Sequence, residues 1–165
     1  MANQIAAGER VVILADHGWE YVERKKGKEA VAVVAVVEGK LILTEQFRVP
    51  VHARVIDWPA GLVGDEEGSS DPAKTAQKEL EEETGYVCDS VELLTKGPTS
   101  PGITSELVSF YRAHGVRKKG EGGGVGGEDI TVHLVPVAEA EQWLRSRGDV
   151  LIDLKVWGGL YFLRS

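Results

Sequence analysis

The first part of the chain carries apolar segments bounded by turn residues, and this pattern predicts strands. The segments are rich in Val, Ile and Leu, which is typical of buried or half-buried strands. Between two of them, Glu38-Gly39 predicts a tight hairpin turn in which the glycine supplies a positive φ. The strands predicted here are Val11 to Leu14, Glu20 to Arg24, Ala30 to Val37, Leu41 to Arg48 and Arg54 to Trp58.

A helix is predicted to follow this β-rich part. Ser70 or Asp71 is placed to cap its N-terminus, Pro72 suits its first turn, and Gly85 after Thr84 is a typical helix end. Because helices are few and come late in the chain, the element order predicts an α+β fold rather than a doubly wound parallel sheet. The other predicted elements are strands at Ser90 to Thr95, Glu106 to Ala113 and Ile130 to Pro136, and helices at Ala138 to Ser146 and Asp153 to Leu163.

Two loops interrupt the second part of the chain. The segment Gly97 to Glu106 is rich in turn residues, and the segment Lys118 to Asp129 is dense in glycine. Glycine density predicts mobility in the second loop. Two interpretations stay open, a disordered linker inside a hairpin or a loop that orders over a substrate.

Composition narrows the class of protein. The 165 residues, 42% of them apolar, suit one domain, so residues 1–165 are expected to form a single unit. No apolar run is long enough to cross a membrane, the N-terminus lacks a signal-peptide pattern, and the one cysteine, Cys88, excludes an internal disulfide. We therefore expect a cytoplasmic protein that has no membrane partner.

The net charge of −7 argues against a nucleic acid polymer as the main partner, because such binding depends on Lys and Arg. A small phosphate ester remains compatible with this charge. An acidic protein would need a divalent cation between its carboxylates and the phosphate oxygens. Oxygen ligands select magnesium, manganese or calcium.

The end of the predicted helix concentrates acids. Glu79, Glu82 and Glu83 share one face at helical spacing, whereas Glu81 points elsewhere. Such a cluster can be a solvated helix face. However, no lysine follows at the spacing that would relieve the repulsion, and the helix C-terminus adds its own negative field. This pattern favours a cation site. The chain is also predicted to turn sharply at Pro59-Ala60-Gly61, which would aim a backbone carbonyl at the same cation.

These residues resemble the Nudix hydrolase family. The second half of the family's box is present as Lys78-Glu79-Leu80-Glu81-Glu82-Glu83-Thr84-Gly85-Tyr86, with Lys in place of the usual Arg. The first half fits in two ways. From Gly61 it reaches Glu67 and needs a three-residue insertion near Gly68, whereas from Gly64 the spacing is kept but Ser70 replaces the first Glu. We favour Gly61, because a loop insertion has a small effect on stability.

The resemblance extends to the ADP-ribose pyrophosphatase branch of that family. Glu45-Gln46-Phe47-Arg48, followed by Pro59-Ala60-Gly61, is similar to this branch. Pro101 lies fifteen residues after Tyr86, at the spacing that marks the branch, and the stretch Glu128 to His133 resembles its late strand. The implied fold is an α/β/α sandwich with a mixed β-sheet.

The resemblance also implies roles for single residues. Divalent metal, Mg²⁺ or Mn²⁺, would be bound by Glu79, Glu83, the nearby Glu82, the carbonyl of Ala60, and Glu128 from the glycine-rich loop. Arg48 would contact the nucleotide or its phosphates, Glu106 the distal ribose, and Pro101 would lie in the substrate loop. Lys78 and Glu67 would support these ligands without contacting the cation.

The base that activates water stays open. The branch often places a glutamate where this chain has Gly126, so Glu121 or Glu128 is the candidate base, and Glu82 is a further candidate catalytic residue. Lys78 lacks the planar fork with which arginine grips a carboxylate.

The implied activity is hydrolysis of the pyrophosphate bond in a nucleoside diphosphate derivative, with ADP-ribose giving AMP and ribose 5-phosphate as the leading case. Members of the branch are usually homodimers, and the apolar N-terminal strands here suit such an interface. The alternatives are another nucleotide sugar or a dinucleotide as substrate, a domain that binds ADP-ribose without cleaving it, and a calcium-binding structural domain. The last lacks the alternating acidic loop of an EF-hand.

Overall fold

The computed structural model describes residues 2–27, 29–64, 70–124 and 126–164. Its helices are α1 (Pro72–Thr84), α2 (Ala140–Ser146) and α3 (Leu154–Phe162). Its strands are β1 (Asn3–Ala7), β2 (Val11–Asp16), β3 (Trp19–Arg24), β4 (Glu29–Val34), β5 (Val36–Val37), β6 (Lys40–Arg48), β7 (Ala53–Asp57), β8 (Ala60–Leu62), β9 (Tyr86–Val87), β10 (Ser90–Pro98), β11 (Leu107–His114), β12 (Arg117–Lys118), β13 (Ile130–Pro136) and β14 (Leu151–Ile152).

The strands form a mixed arrangement of sheets. Strands β1, β2 and β3 make an N-terminal antiparallel sheet. The central sheets have the orders β10-β11-β4-β8 and β13-β6-β7-β14, with β5 also on β6, and β9 pairs with β12. The pairs β4–β11 and β7–β14 are parallel, whereas the other central pairs are antiparallel. This mixture confirms the α+β class.

Alternate side chains of the central strands enter two separate cores. On β4, Ala32 and Val34 join a core that includes residues of α2 and α3. Val31 and Val33 join the opposite core, which includes residues of α1. Successive residues of a strand point to opposite faces, so the sheet is covered by helices on both sides. The α/β/α sandwich is therefore the observed architecture.

Most predicted elements lie within a few residues of the observed ones, and one segment differs in kind. Glu38 and Gly39 both have positive φ, 49° and 73°, as the hairpin turn requires. The predicted sharp turn at Pro59-Ala60-Gly61 is confirmed at Pro59, where the chain bends between β7 and β8, but it is wrong for Ala60 and Gly61, which belong to β8 and pair with β4. Among the described helices, none is long and apolar enough to cross a membrane.

Candidate active site

Helix α1 is fixed in position by its ends and by its buried face. The Asp71 side chain accepts the N–H of Ala73 at 3.0 Å, and Gly85 ends the helix with a φ of 71°. Ala76 and Leu80 are fully buried against the sheet. These contacts set the rotation of the helix, and they place its last turn beside β8.

Glu83 is the buried acid of that last turn. Only 6% of it is exposed, and its Oε2 accepts the N–H of Ala60 at 3.0 Å. The pKa of Glu83 is raised to about 8, chiefly by burial and also by the negative charges of Glu79 and Glu128, against the opposing effects of the Ala60 N–H and Arg48. Glu79, Glu128 and Arg48 therefore act electrostatically on one buried carboxyl group.

Glu79 lies directly against the backbone of β8. A Cβ added at Gly61 would collide with the carboxylate of Glu79. Gly61 is thus required for close approach and not for a positive φ, since its φ is not in the left-handed region. Ala60 and Gly61 together bring Glu83 and Glu79 to the same short strand.

Two further acids of the helix, Glu81 and Glu82, have cationic partners. Lys78 contacts Glu82 at 3.3 Å, and Lys119 contacts Glu81 at 2.6 Å. Lys118 donates to the carbonyl oxygen of Thr84 at 3.0 Å, at the negative end of the helix. The predicted lack of cationic relief at the C-terminal end of the helix is therefore wrong, because Lys118 and Lys119, which are distant in sequence, supply it there. Glu83 differs from these acids in being buried.

The glycine-rich loop is packed on the end of α1. The N–H groups of Gly123 and Gly124 donate to the carbonyls of Glu83 and Glu82 at 2.8 and 3.0 Å, and those of Lys119 and Gly120 donate to Gly85. The disordered-linker interpretation is wrong for these residues, because their backbone donors satisfy the open carbonyls of the helix end.

Of the two candidate bases, Glu128 has the electrostatic effect on Glu83. A Cβ at Gly124 would lie 2.6 Å from Oε2 of Glu128, so this carboxylate rests against the docked part of the loop. Both Glu121 and Glu128 are exposed, and the backbone carbonyl of Glu121 accepts a hydrogen bond from Nζ of Lys118. Of these two glutamates, Glu128 is the one whose charge contributes to the raised pKa of Glu83.

The candidate substrate residues are dispersed. Arg48 ends β6, is exposed, and acts electrostatically on Glu83. Pro101 lies in an exposed turn that follows β10. Glu106 pairs with Arg24 of the N-terminal sheet at 2.7 Å. Glu67 lies outside the described residues.

Two further features of this region could not be predicted from sequence patterns. Asp57, just before the Trp58-Pro59-Ala60 segment, is buried and contacts Lys155 of α3 at 2.8 Å. Burial raises the pKa of Asp57 to about 6, against the opposing charge of Lys155. Arg54 connects three strands beside the glycine-rich loop. The contacts of Asp57 with Lys155, and of Arg54 with Asp129 and Thr131, join residues that are far apart in the chain, so neither spacing nor periodicity could have predicted them.

The donors around Glu83 suit a hard divalent cation. They are carboxylates, and a buried carboxyl with a pKa near 8 lacks enough positive charge nearby to stabilise its ionised form. Among the described residues, however, no three His, Cys, Asp or Glu side chains are already grouped closely enough to hold a metal ion.

Comparison with known proteins places this geometry in a family. The family model described as NUDIX domain matches residues 26–154. A methanol dehydrogenase activator from Bacillus methanolicus is 40% identical over 121 residues, and an ADP-ribose pyrophosphatase from Bacillus subtilis is 44% identical over 85 residues. These matches cover 72% and 51% of this chain, but only 63% and 44% of the relatives.

A solved structure supports the fold. The crystal structure of an ADP compounds hydrolase superposes with a TM-score of 0.64 at 20% identity, covering 91% of this chain and 95% of that one. At this identity the similarity establishes the shared fold.

Proposed function

This chain belongs to the NUDIX domain family, and we propose that it hydrolyses the pyrophosphate bond of a nucleoside diphosphate derivative with the help of a divalent cation. The leading substrate is ADP-ribose, which would give AMP and ribose 5-phosphate. The similarity to the B. subtilis ADP-ribose pyrophosphatase supports this choice. The cation is proposed to be Mg²⁺, with Mn²⁺ as a substitute.

One observation carries the proposal. Glu83 is buried, yet Glu79 and Glu128 act on it with like charge, and its pKa rises to about 8. Ionisation of this carboxyl group without a cation opposes folding, because a buried charge needs a partner of opposite sign. A divalent cation would resolve this conflict by favouring the ionised form.

In the proposed site, Glu79 and Glu83 hold the cation, and Glu82, Glu128 and the carbonyl of Ala60 are further donors. When bound, such a cation would neutralise charge on the diphosphate and lower the pKa of a water molecule. Arg48, which is exposed at the end of β6 and close enough to influence Glu83, is proposed to bind a phosphate oxygen. Lys78 would hold Glu82 through their ion pair.

Glu128 is the favoured base. Both Glu128 and Glu121 are exposed, but the Glu128 carboxylate rests against the docked glycine loop and is among the charges that raise the pKa of Glu83, whereas Glu121 is not. In this role Glu128 would accept the proton of the attacking water.

The substrate loop and the assembly are also proposals. Pro101 and Glu106 are proposed to lie near the second moiety of the substrate, since Glu106 is already oriented by Arg24. The N-terminal sheet is proposed to form a homodimer interface, because Ile5, Ile13 and Trp19 are exposed on it. We also propose a cytoplasmic location.

A substrate panel tests the proposed function. ADP-ribose, a GDP-sugar and a dinucleotide are each incubated with the protein and Mg²⁺, and the products are separated by chromatography. Release of AMP from ADP-ribose that stops on addition of EDTA is expected. Fastest turnover of the GDP-sugar or the dinucleotide would change the substrate, and binding of ADP-ribose without any turnover would support a non-hydrolytic domain.

A further inference from the structure

One arginine connects three neighbouring strands beside the glycine-rich loop. Arg54, on β7, donates from Nε to Oε1 of Glu45 at 2.5 Å and from Nη2 to the backbone oxygen of Glu45 at 3.2 Å. The same Nη2 donates to Oγ1 of Thr131 at 3.3 Å, and Nη1 donates to Oδ2 of Asp129 at 3.1 Å. Glu45 is on β6 and Thr131 on β13, so all three nitrogens of one planar group are used.

The inner partner of Arg54 is firmly fixed. Glu45 is buried, and its Oε2 also contacts Nε2 of His133 at 2.8 Å and Nη2 of Arg147 at 3.3 Å. Although burial opposes ionisation, the hydrogen bonds from Arg54 and His133 lower the pKa of Glu45 below its usual value. A guanidinium anchored on such a carboxylate loses little further freedom when it binds one more group.

The outer partner of Arg54 adjoins the proposed site. The Asp129 side chain is 84% exposed, and Asp129 directly follows Glu128 in the chain. The glycine-rich loop is held at its other end by the bonds from Gly123 and Gly124 to helix α1. The segment that carries Glu128 is thus tied at both ends, on one side to the helix and on the other side to Arg54.

We propose that Arg54 is a positioning residue, which holds Glu128 toward the buried Glu83 by binding Asp129. This inference rests on the proposed function, because it gives Glu128 a role at the cation site. An exposed ion pair alone contributes little, but here its arginine is already held by Glu45 and Thr131. Loss of Arg54 would therefore free Asp129, and with it the segment that carries Glu128, while Glu45 and His133 would stay paired.

The chain offers a matched pair of aspartates for the test. Asp129 pairs with Arg54, and Asp149, also exposed, pairs with Arg147 at 3.2 Å in the same Glu45 network. Asp129→Ala is expected to weaken Mn²⁺ binding roughly threefold, measured by the EPR signal of free Mn²⁺, and to lower kcat with little change in KM. Asp149→Ala is expected to match the wild type in both measurements. Equal effects of the two substitutions would overturn the proposal.

A double-mutant cycle separates the positioning of Glu128 by Arg54 from the simple loss of the negative charge of Asp129. Arg54→Lys keeps the charge but loses the planar fork, and it is expected to weaken Mn²⁺ binding by up to about tenfold. Adding Asp129→Ala to this variant is expected to have little further effect, whereas a full additional effect would overturn the proposal. Circular dichroism spectra identical to the wild type show that each variant folds.

The wild type distinguishes the two proposals. If the wild type binds Mn²⁺ and hydrolyses its substrate, and Arg54→Lys has the same Mn²⁺ affinity and the same turnover, only the positioning role is overturned. A wild type that neither binds Mn²⁺ nor turns over any member of the substrate panel would overturn the proposed function, and with it the role of Arg54.

Discussion

Glu83 combines two properties that conflict in a protein without a ligand, namely burial and like-charged neighbours. Glu81 and Glu82 are acids of the same helix turn, yet each has a lysine partner. The difference identifies Glu83 as the acid on which binding of a cation would have the largest effect. Its exchange for an uncharged isostere is the most informative single substitution.

Glu83→Gln is expected to reduce Mg²⁺-dependent turnover by at least about 100-fold, because a direct carboxylate donor to the cation is lost. The Gln side-chain oxygen can still accept the Ala60 N–H, so the fold should persist. Steady-state kinetics and the melting temperature in EDTA measure the two effects. Turnover equal to the wild type would remove Glu83 from the proposed cation site.

The raised pKa of Glu83 also predicts a pH dependence of stability. The carboxyl group is protonated in the folded and the unfolded protein below about pH 4.5, and ionised in both above about pH 8. Between these values it ionises mainly in the unfolded chain, so the free energy of unfolding falls progressively as the pH rises. The effect is on the order of a few kcal/mol, since one pKa unit corresponds to about 1.4 kcal/mol.

The metal-free Glu83→Gln protein lacks this titration. Its free energy of unfolding, measured in urea, should therefore rise relative to the wild type as the pH increases from 5 to 8. Asp57, whose pKa is raised to about 6, is present in both proteins and cancels in the comparison. A difference that stays constant with pH would contradict the buried, electrostatically crowded state of Glu83.

Glu128 and Glu121 lie on the same loop and differ in their surroundings. We expect Glu128→Ala to lower kcat by about 100-fold, as loss of a general base does, and Glu121→Ala to stay near the wild type. Rates at saturating Mg²⁺, together with the Mn²⁺ affinity of each variant, separate loss of a base from loss of a metal ligand. The reverse order of the two variants would assign the base to Glu121.

Two elements, helix α1 and the glycine-rich loop, form the proposed site together. The loop supplies N–H groups to the helix end, and Lys118 and Lys119 supply positive charge. The close contact depends on glycine, because Gly122 has a φ of 77° and a Cβ there would collide with the backbone of Thr84. The loop is therefore a packed partner of the helix.

Gly122→Ala is expected to destabilise the protein by about 1–3 kcal/mol, since it combines left-handed strain with a backbone clash. Gly120→Ala is the matched control, because its Cβ would meet open space and its φ is not in the left-handed region. Thermal unfolding and kcat are measured for both variants. Equal stability of the two proteins would argue against the docked loop.

Local signals predicted the elements better than the contacts between them. The caps Asp71 and Gly85 and the spacing of the acids predicted α1 and its acidic face. The strand β8 was missed, because it is short and its extended backbone depends on pairing with β4. The lysine partners of the helix end were also missed, since they lie more than thirty residues away.

At the level of the whole molecule, the two-sided sheet could be predicted from the family resemblance, and the alternation of Ala32 and Val33 between two cores agrees with it. Networks such as that of Glu45 could not be predicted from sequence. They join side chains from β6, β7, β13 and the end of α2, and only the folded chain brings these together.

The exposed apolar side chains of the N-terminal sheet predict that the protein forms a homodimer. We expect the wild type to sediment as a homodimer, and Ile13→Asp to shift it toward monomer, because a charge would be buried in an apolar interface. Leu93→Asp, at an exposed apolar position of β10, is the control. Analytical ultracentrifugation measures each protein. A monomeric wild type, or equal dissociation by both substitutions, would contradict an interface on this sheet.

The most decisive measurement is anomalous diffraction from crystals grown with Mn²⁺ and a non-hydrolysable ADP-ribose analogue. We expect manganese peaks bound directly by the carboxylates of Glu79 and Glu83, with the analogue's diphosphate on the opposite side of the ions. A bound analogue with no manganese near these two residues, or with their carboxylates pointing to bulk water, would contradict a cation-assisted hydrolysis at the end of α1.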